Sequence, residues 1–288
     1  MPPFAITLQH WLPKQLLTRL AGLLADARLG PVTRLAIARF VARYRVDMSE
    51  AAEPRTEAYL RFNDFFTRAL RPGARMQADA PWTCPVDGAI SQLGPIEAGQ
   101  IFQAKGHNYS ALTLLGGDEA MARPFEGGQF ATIYLSPRDY HRIHMPCEGS
   151  LTRMVHVPGE LYSVNPLTAR HVPGLFARNE RVVCLFDTPH GPMALVLVGA
   201  TIVGSMATVW HGVVNPPRPG HLRQWRYEPG SIHLRQGQEM GRFLLGSTVV
   251  MLFPKDRLAF TPDWAPERAV RLGEAMASLA EPAPAASA

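Results

Sequence analysis

The stretch Gly241-Arg242-Phe243-Leu244-Leu245-Gly246-Ser247-Thr248-Val249-Val250-Met251-Leu252-Phe253 reads as one buried β-strand. Phe243, Leu245, Val249, Met251 and Phe253 share one period-2 face, and Leu244, Val250 and Leu252 share the other. Gly246-Ser247-Thr248 interrupts this run. A glycine inside a strand weakens it and marks a bend, a bulge or a close backbone approach. A hydroxyl buried beside it needs a partner or a task. One reading is a small-residue gap into which another segment packs. The other is that Ser247 attacks the peptide bond before it, since glycine has no Cβ to obstruct attack on its carbonyl. The chain has four Gly-Ser pairs, at 149-150, 204-205, 230-231 and 246-247, and only the last is followed by threonine inside an apolar run.

Working outward, the texture from about residue 82 is of short apolar runs broken by glycine and proline, as in an antiparallel β domain. The expected strands are 89–93, 129–135, 151–157, 181–187, 193–198, 201–210 and 242–253. Residues 193–210 carry no charge over eighteen positions, which raises a membrane-spanning helix. Gly199, Gly204, Thr201, Ser205 and Thr208 among valines favour two consecutive strands instead. Before residue 72 the periodicity is helical. Leu16, Leu17, Leu20, Leu23, Leu24 and Ala27 stripe a helix over 14–29, and Gly30-Pro31 ends it and opens a second. A third is expected over 56–70, with Tyr59, Phe62, Phe65, Phe66 and Ala69 on its apolar side and Arg71-Pro72-Gly73 as its stop. The fold class is therefore α+β: N-terminal amphipathic helices (1–72), a mostly antiparallel β-rich catalytic domain (73–262) and a tail (263–288) whose Pro-Ala end is expected to be disordered.

Charge and cysteine usage narrow the function classes. Four of the five net positive charges fall within residues 1–50. No aromatic-basic interleaving or recognition motif accompanies them, so an anionic membrane surface suits this segment better than nucleic acid. A basic amphipathic helix pair with exposed leucines fits an interfacial anchor, and packing on a core of its own is the alternative. Cys84, Cys147 and Cys184 are odd in number and form no CxxC pair, which points to a reducing compartment without a disulfide framework or a thiolate zinc site. Met1-Pro2-Pro3-Phe4 lacks a basic n-region and no apolar run leads to a small-residue cleavage site, so no secretory signal is expected.

Two further motifs carry chemistry. Pro85-Val86-Asp87-Gly88 is a turn signature ahead of an apolar strand. Tyr140-His141-Arg142-Ile143-His144-Met145-Pro146 holds two histidines three apart. They suit acid/base work better than a metal, because no acidic or cysteine ligand is placed to complete a site. Asp87, His144 and Ser247 supply the acid, base and nucleophile of a triad. An uncut serine hydrolase is one use of that set. It lacks Gly-x-Ser-x-Gly, and a serine in mid-strand is badly placed for a substrate. A non-enzymatic β-rich carrier or membrane-binding module is a third reading.

The whole pattern resembles the phosphatidylserine decarboxylase family in its short bacterial-type form. The resemblance rests on Phe62-Asn63-Asp64-Phe65-Phe66-Thr67-Arg68, Pro85-Val86-Asp87-Gly88, Ala104-Lys105-Gly106-His107 and Tyr134 through Pro146. It continues through Ser163-Val164-Asn165-Pro166, Phe176 through Arg181 and Leu245-Gly246-Ser247-Thr248. It implies a zymogen that cuts itself between Gly246 and Ser247, leaving a pyruvoyl group derived from Ser247 and no metal. His144 would act as base on Ser247, Asp87 would orient and charge-stabilise that imidazole, and either His141 or His144 would protonate the carbanion left by decarboxylation. The pyruvoyl carbonyl would form a Schiff base with phosphatidylserine and decarboxylate it to phosphatidylethanolamine. The resemblance further implies that large and small chains stay associated, that the enzyme is a homodimer, and that it lies peripherally on the cytoplasmic face of the cell membrane. For the phosphate, Arg142, Arg178 and Lys105 are candidates by charge.

Overall fold

The computed structural model describes residues 4–201, 205–216, 218, 220–244 and 248–280. Three helices open the chain: α1 (Phe4–Trp11), α2 (Lys14–Asp26) and α3 (Pro31–Tyr44). Gly30 at φ 56° turns the backbone into α3, Pro31 occupies its first turn, and Arg45 closes it in the left-handed region. The helix expected over 56–70 is much shorter: a 3₁₀ turn at Thr56–Ala58 and then α4 (Phe62–Phe66). Phe62, Phe65 and Phe66 all meet Phe40 edge-on at 5.2–6.0 Å, so α4 is held by aromatic packing and not by propensity. No helix among the described residues is long and apolar enough to cross a membrane.

The body is antiparallel β, as its glycine- and proline-punctuated texture leads one to expect. The principal sheet runs β12 (Arg223–Arg226), β7 (Gly149–Val157), β8 (Arg181–Thr188), β9 (Gly191–Val198), β15 (Thr248–Phe253), β5 (Gln129–Tyr134), β2 (Gly88–Pro95) and β17 (Ala269–Val270). β13 (His233–Leu234) also pairs β7, in addition to β12 and β8. A four-stranded sheet of β11 (Gly212–Asn215), β10 (Met206–Thr208), β14 (Glu239–Phe243) and β6 (Arg142–His144) packs against it. A smaller sheet joins β1 (Trp82–Thr83), β18 (Ala275–Ser278) and β16 (Ala259–Phe260), and β3 (Gln100–Ala104) pairs β4 (His107–Ser110). Residues beyond 262 therefore supply two of the strands that close the body. The charge-free run resolves into β9 and β10, with residues 202–204 outside the described residues.

β15 is completely buried and its faces separate as the period-2 reading requires. Val249, Met251 and Phe253 enter one core with Trp82, Ile133 and Phe243, while Val250 and Leu252 enter another with Phe125, Phe130 and Phe176. The organising stretch is nevertheless not one strand. Its first part, β14, pairs β10 and β6 in the smaller sheet; its second, β15, pairs β9 and β5 in the larger. Leu245, Gly246 and Ser247, which lie between them, are outside the described residues. The run changes sheets between Phe243 and Thr248, because Phe243 takes Met206 as its partner and Thr248 takes Tyr134 and Val198.

Candidate active site

Backbone hydrogen bonds gather the three motifs around that crossing. The His144 N–H donates to the Pro85 carbonyl at 2.9 Å, two residues from Asp87. The Phe243 N–H donates to the His141 carbonyl at 3.0 Å. Leu244 donates to the Ser205 carbonyl, and Thr248 sits opposite Tyr134 and Val198. The expected nucleophile Ser247 and its neighbour Gly246 lie outside the described residues.

Both histidines have their Nδ1 atoms on backbone carbonyls. His141 Nδ1 meets the Asp139 carbonyl at 2.7 Å, and His144 Nδ1 meets the Gly237 carbonyl at 2.7 Å. A carbonyl only accepts, so each Nδ1 carries the proton and each Nε2 is left as the basic nitrogen. Gly237 has φ +76°, a conformation glycine adopts freely, in the turn that aims this carbonyl at the ring. His144 Nε2 accepts from the Tyr140 hydroxyl at 3.1 Å. His141 is fully buried, its ring 4.1 Å from that of Phe66, and its Nε2 has no partner among the described residues. Burial pushes the His141 pKa down to about 3, partly offset by the Asp139 carbonyl. Burial also lowers that of His144, against the Gly237 carbonyl bond. Both rings are neutral bases at neutral pH.

Asp87 is buried and is not hydrogen-bonded to His144. Its carboxylate accepts from the Leu272 N–H at 2.9 Å and is clamped by both Nε and Nη2 of Arg75. Arg75 Nη2 also reaches Glu50 at 2.7 Å, and Glu50 takes Arg271 Nη1 at 3.0 Å. The tautomer of His144 is thus set by Gly237, and Asp87 acts on it through its field alone. Gly88, read as the second half of a turn, is the first residue of β2. A Cβ there would stand 2.5 Å from the Tyr134 carbonyl oxygen, so glycine is required by the approach of β5 to β2.

Tyr140 connects two cavities. It lines one of about 530 Å³ with Asp87, Tyr134, Asp139, Arg68 and Arg75, and another of about 530 Å³ with His144, Arg75 and Gly237. Burial raises its pKa to about 12, so its hydroxyl remains a donor. The sequence reading passed over Tyr140, Arg75 and Gly237; only the proximity of Tyr140 to the histidines signalled it. The three cations proposed for the phosphate line neither cavity. Arg142 is bound to the Thr67 carbonyl and Glu239, Arg178 lies over the Tyr162 ring, and Lys105 is exposed in the turn between β3 and β4.

Comparison with known proteins matches nearly the whole chain. The family model described as phosphatidylserine decarboxylase matches residues 62–278, and a second, described as PSD, matches residues 4–45. A protein of Methylibium petroleiphilum is 69% identical over 272 residues, covering 94% of this chain and 96% of the relative. One of Acidovorax ebreus is 70% identical over 273 residues, covering 95% and 96%. One of Azoarcus sp. is 68% identical over 275 residues, covering 96% of each. All three are named phosphatidylserine decarboxylase proenzyme.

Proposed function

This chain belongs to the phosphatidylserine decarboxylase family, a decarboxylase made as a zymogen, and from that premise we propose that it cuts itself at Gly246-Ser247 to make its own pyruvoyl group. The observation that carries the reading is the pair of neutral imidazoles, His141 and His144, each with its proton held on Nδ1 by a carbonyl: Nε2 of His141 has no partner among the described residues, and Nε2 of His144 accepts from the Tyr140 hydroxyl. The surroundings fit such a group. The buried His141 Nε2 and Thr248 Oγ1 have no partners among the described residues; Thr248 follows the proposed cleavage point in the sequence, and the His141 carbonyl accepts from the Phe243 N–H three residues before Gly246.

In this reading His144 Nε2 takes the Ser247 hydroxyl proton and the alkoxide attacks the Gly246 carbonyl carbon. The peptide C–N bond breaks as His144 returns the proton to the Ser247 nitrogen, leaving an ester. Loss of the Ser247 Cα proton expels the Gly246 carboxylate and leaves dehydroalanine. One water then replaces the nitrogen, releasing ammonia. The group so formed supplies an electron-withdrawing carbonyl for a substrate amine. His141 Nε2 accepts a proton from the incoming ammonium and returns it to the carbon that loses carbon dioxide.

A phospholipid substrate requires contact with a bilayer, and α2 is built for it. Its inward residues are Lys14, Thr18 and Ala25, while Leu16, Leu20, Leu23 and Leu24 are 50–70% exposed. That is the reverse of a helix packing its greasy side on a core. We place these leucines in the acyl region of the cytoplasmic leaflet, with the surrounding arginines on anionic headgroups.

Intact mass spectrometry of freshly purified protein tests the central claim. Two fragments meeting at 246/247 are expected, the smaller of 42 residues by count and lighter by one ammonia than a serine-started peptide. A single uncut chain in folded protein would sink the proposal and favour a serine hydrolase.

A further inference from the structure

Arg68 is the one cation of the Asp87 cavity that is both buried and without a countercharge. It is 5% exposed, and among the described residues no carboxylate lies within ion-pair distance of it. Nη2 donates to the Arg138 carbonyl at 3.1 Å, and Nη1 has no partner. The other cavity arginines differ. Arg75 is held by Asp87 and Glu50, Arg271 is held by Glu50, and Arg45 and Arg138 are exposed at the mouth. Burying a guanidinium without a charged partner is costly, so a protein that keeps one has a use for an anion there.

We propose that Arg68 is the residue that binds the phosphodiester of the phospholipid headgroup, at the wall of the cavity shared with Asp87 and Tyr140. This rests on the decarboxylase reading and adds to it the place of the phosphate. Position supports the assignment. Arg68 follows α4, its guanidinium lies 5.5 Å over Phe65, and Phe65 and Phe66 share a core with Ala25 of α2 and Ile37 of α3. Phe66 in turn touches His141. Arg68 therefore stands between the helices that carry the exposed leucines and the catalytic histidine, which is the order of acyl chain, phosphate and serine in the lipid. Arg45, which closes α3, lines the same cavity.

The carboxylate is the other anion of the substrate, and the chemistry argues against it as the partner. An arginine on the departing carboxylate stabilises the ground state more than the transition state, where that charge has moved onto carbon, and so slows decarboxylation. A phosphodiester keeps its charge throughout and is a handle for uniform binding. Filling the site also removes the positive field that helps hold the proton affinity of His141 low.

The test is a calorimetric titration of the full-length Ser247→Ala protein, which stays uncut, with dihexanoyl phosphatidylglycerol below its micelle concentration. This lipid has the phosphodiester but neither amine nor carboxylate. Saturable binding is expected, weakened about tenfold or more by Arg68→Gln and less by Arg68→Lys, with inorganic phosphate binding more weakly than the lipid. In the self-cleaved enzyme the same substitutions should raise KM for short-chain phosphatidylserine with little change in kcat. Equal lipid affinity with and without Arg68, a fall in kcat at unchanged KM, or phosphate binding as tight as the lipid would each overturn the proposal. If Arg68→Gln does not fold, Arg68→Lys decides, since it keeps the charge and loses the fork; unweakened binding then counts against us. Arg68-dependent binding in a wild type that releases no carbon dioxide from phosphatidylserine would instead reject the decarboxylase reading and leave this site standing.

Discussion

At the scale of single residues, the two histidines differ in what burial does to them. His144 is partly exposed and bound to Tyr140, and its lowered pKa keeps it unprotonated to below the usual imidazole value of about 6.5. We expect the self-cleavage rate, followed by electrophoresis, to be flat from about pH 8 to pH 6.5 and to fall only at lower pH. His144→Ala should abolish cleavage while leaving a folded chain. His141 is an ionisation that the fold suppresses. Its folded pKa of about 3 lies below the unfolded value, so between the two the unfolded chain binds a proton that the native chain refuses. Stability must then fall as pH drops from about 6.5 toward 3, by up to about 1.4 kcal/mol per pH unit from this group. His141→Gln should flatten the acid limb of a denaturation series relative to wild type. Parallel curves would show that His141 titrates freely.

At the scale of elements, α2 and α4 have opposite relations to the core. α4 is short and packs three phenylalanines, of which Phe65 and Phe66 are buried and Phe66 touches His141, so its aromatic stripe serves packing and not a long helix. α2 has a regular leucine stripe, legible in the sequence, but periodicity alone could not say whether the stripe faced inward. Leu23 and Leu24, at 70% and 64% exposure, contribute little to the fold. Replacing both with glutamine should leave the melting temperature within about 2 °C, because exposed positions away from packed contacts change stability by about 0.5 kcal/mol or less. The same change should weaken binding to anionic vesicles severalfold in a sedimentation assay. Loss of stability without loss of binding would mean that these leucines serve a protein contact.

At the scale of the whole molecule, the small fragment expected after cleavage carries the central strand. β15 pairs β5 along its full length and β9 from Thr248 to Leu252, and β17 and β18 add further pairings to β2 and β1. Cutting before Ser247 leaves all of those ladders intact. We expect the two fragments to co-elute in gel filtration and to separate only in denaturant; separation in buffer would show that the sheet does not survive the cut. The Arg75 network has the same reach, joining Glu50 from the N-terminal region, Asp87 at the start of β2 and Arg271 and Leu272 near the C-terminus.

What the sequence alone determined is what depends on local pattern: the two-faced burial of Val249 through Phe253, the antiparallel body, the first helices and the motifs holding Asp87, His141, His144 and Ser247. Those follow from side-chain period and from residue chemistry, which are properties of neighbours in the chain. Only the tertiary structure decided that the organising stretch changes sheets between Phe243 and Thr248, that Gly237 and not Asp87 sets the tautomer of His144, and that Arg68 is the buried cation of the Asp87 cavity without a countercharge among the described residues. Each depends on a partner far away in sequence, such as Met206 for Phe243, Arg75 for Asp87 or Arg138 for Arg68. Pairing of that kind is set by packing the whole chain, and no local pattern contains it.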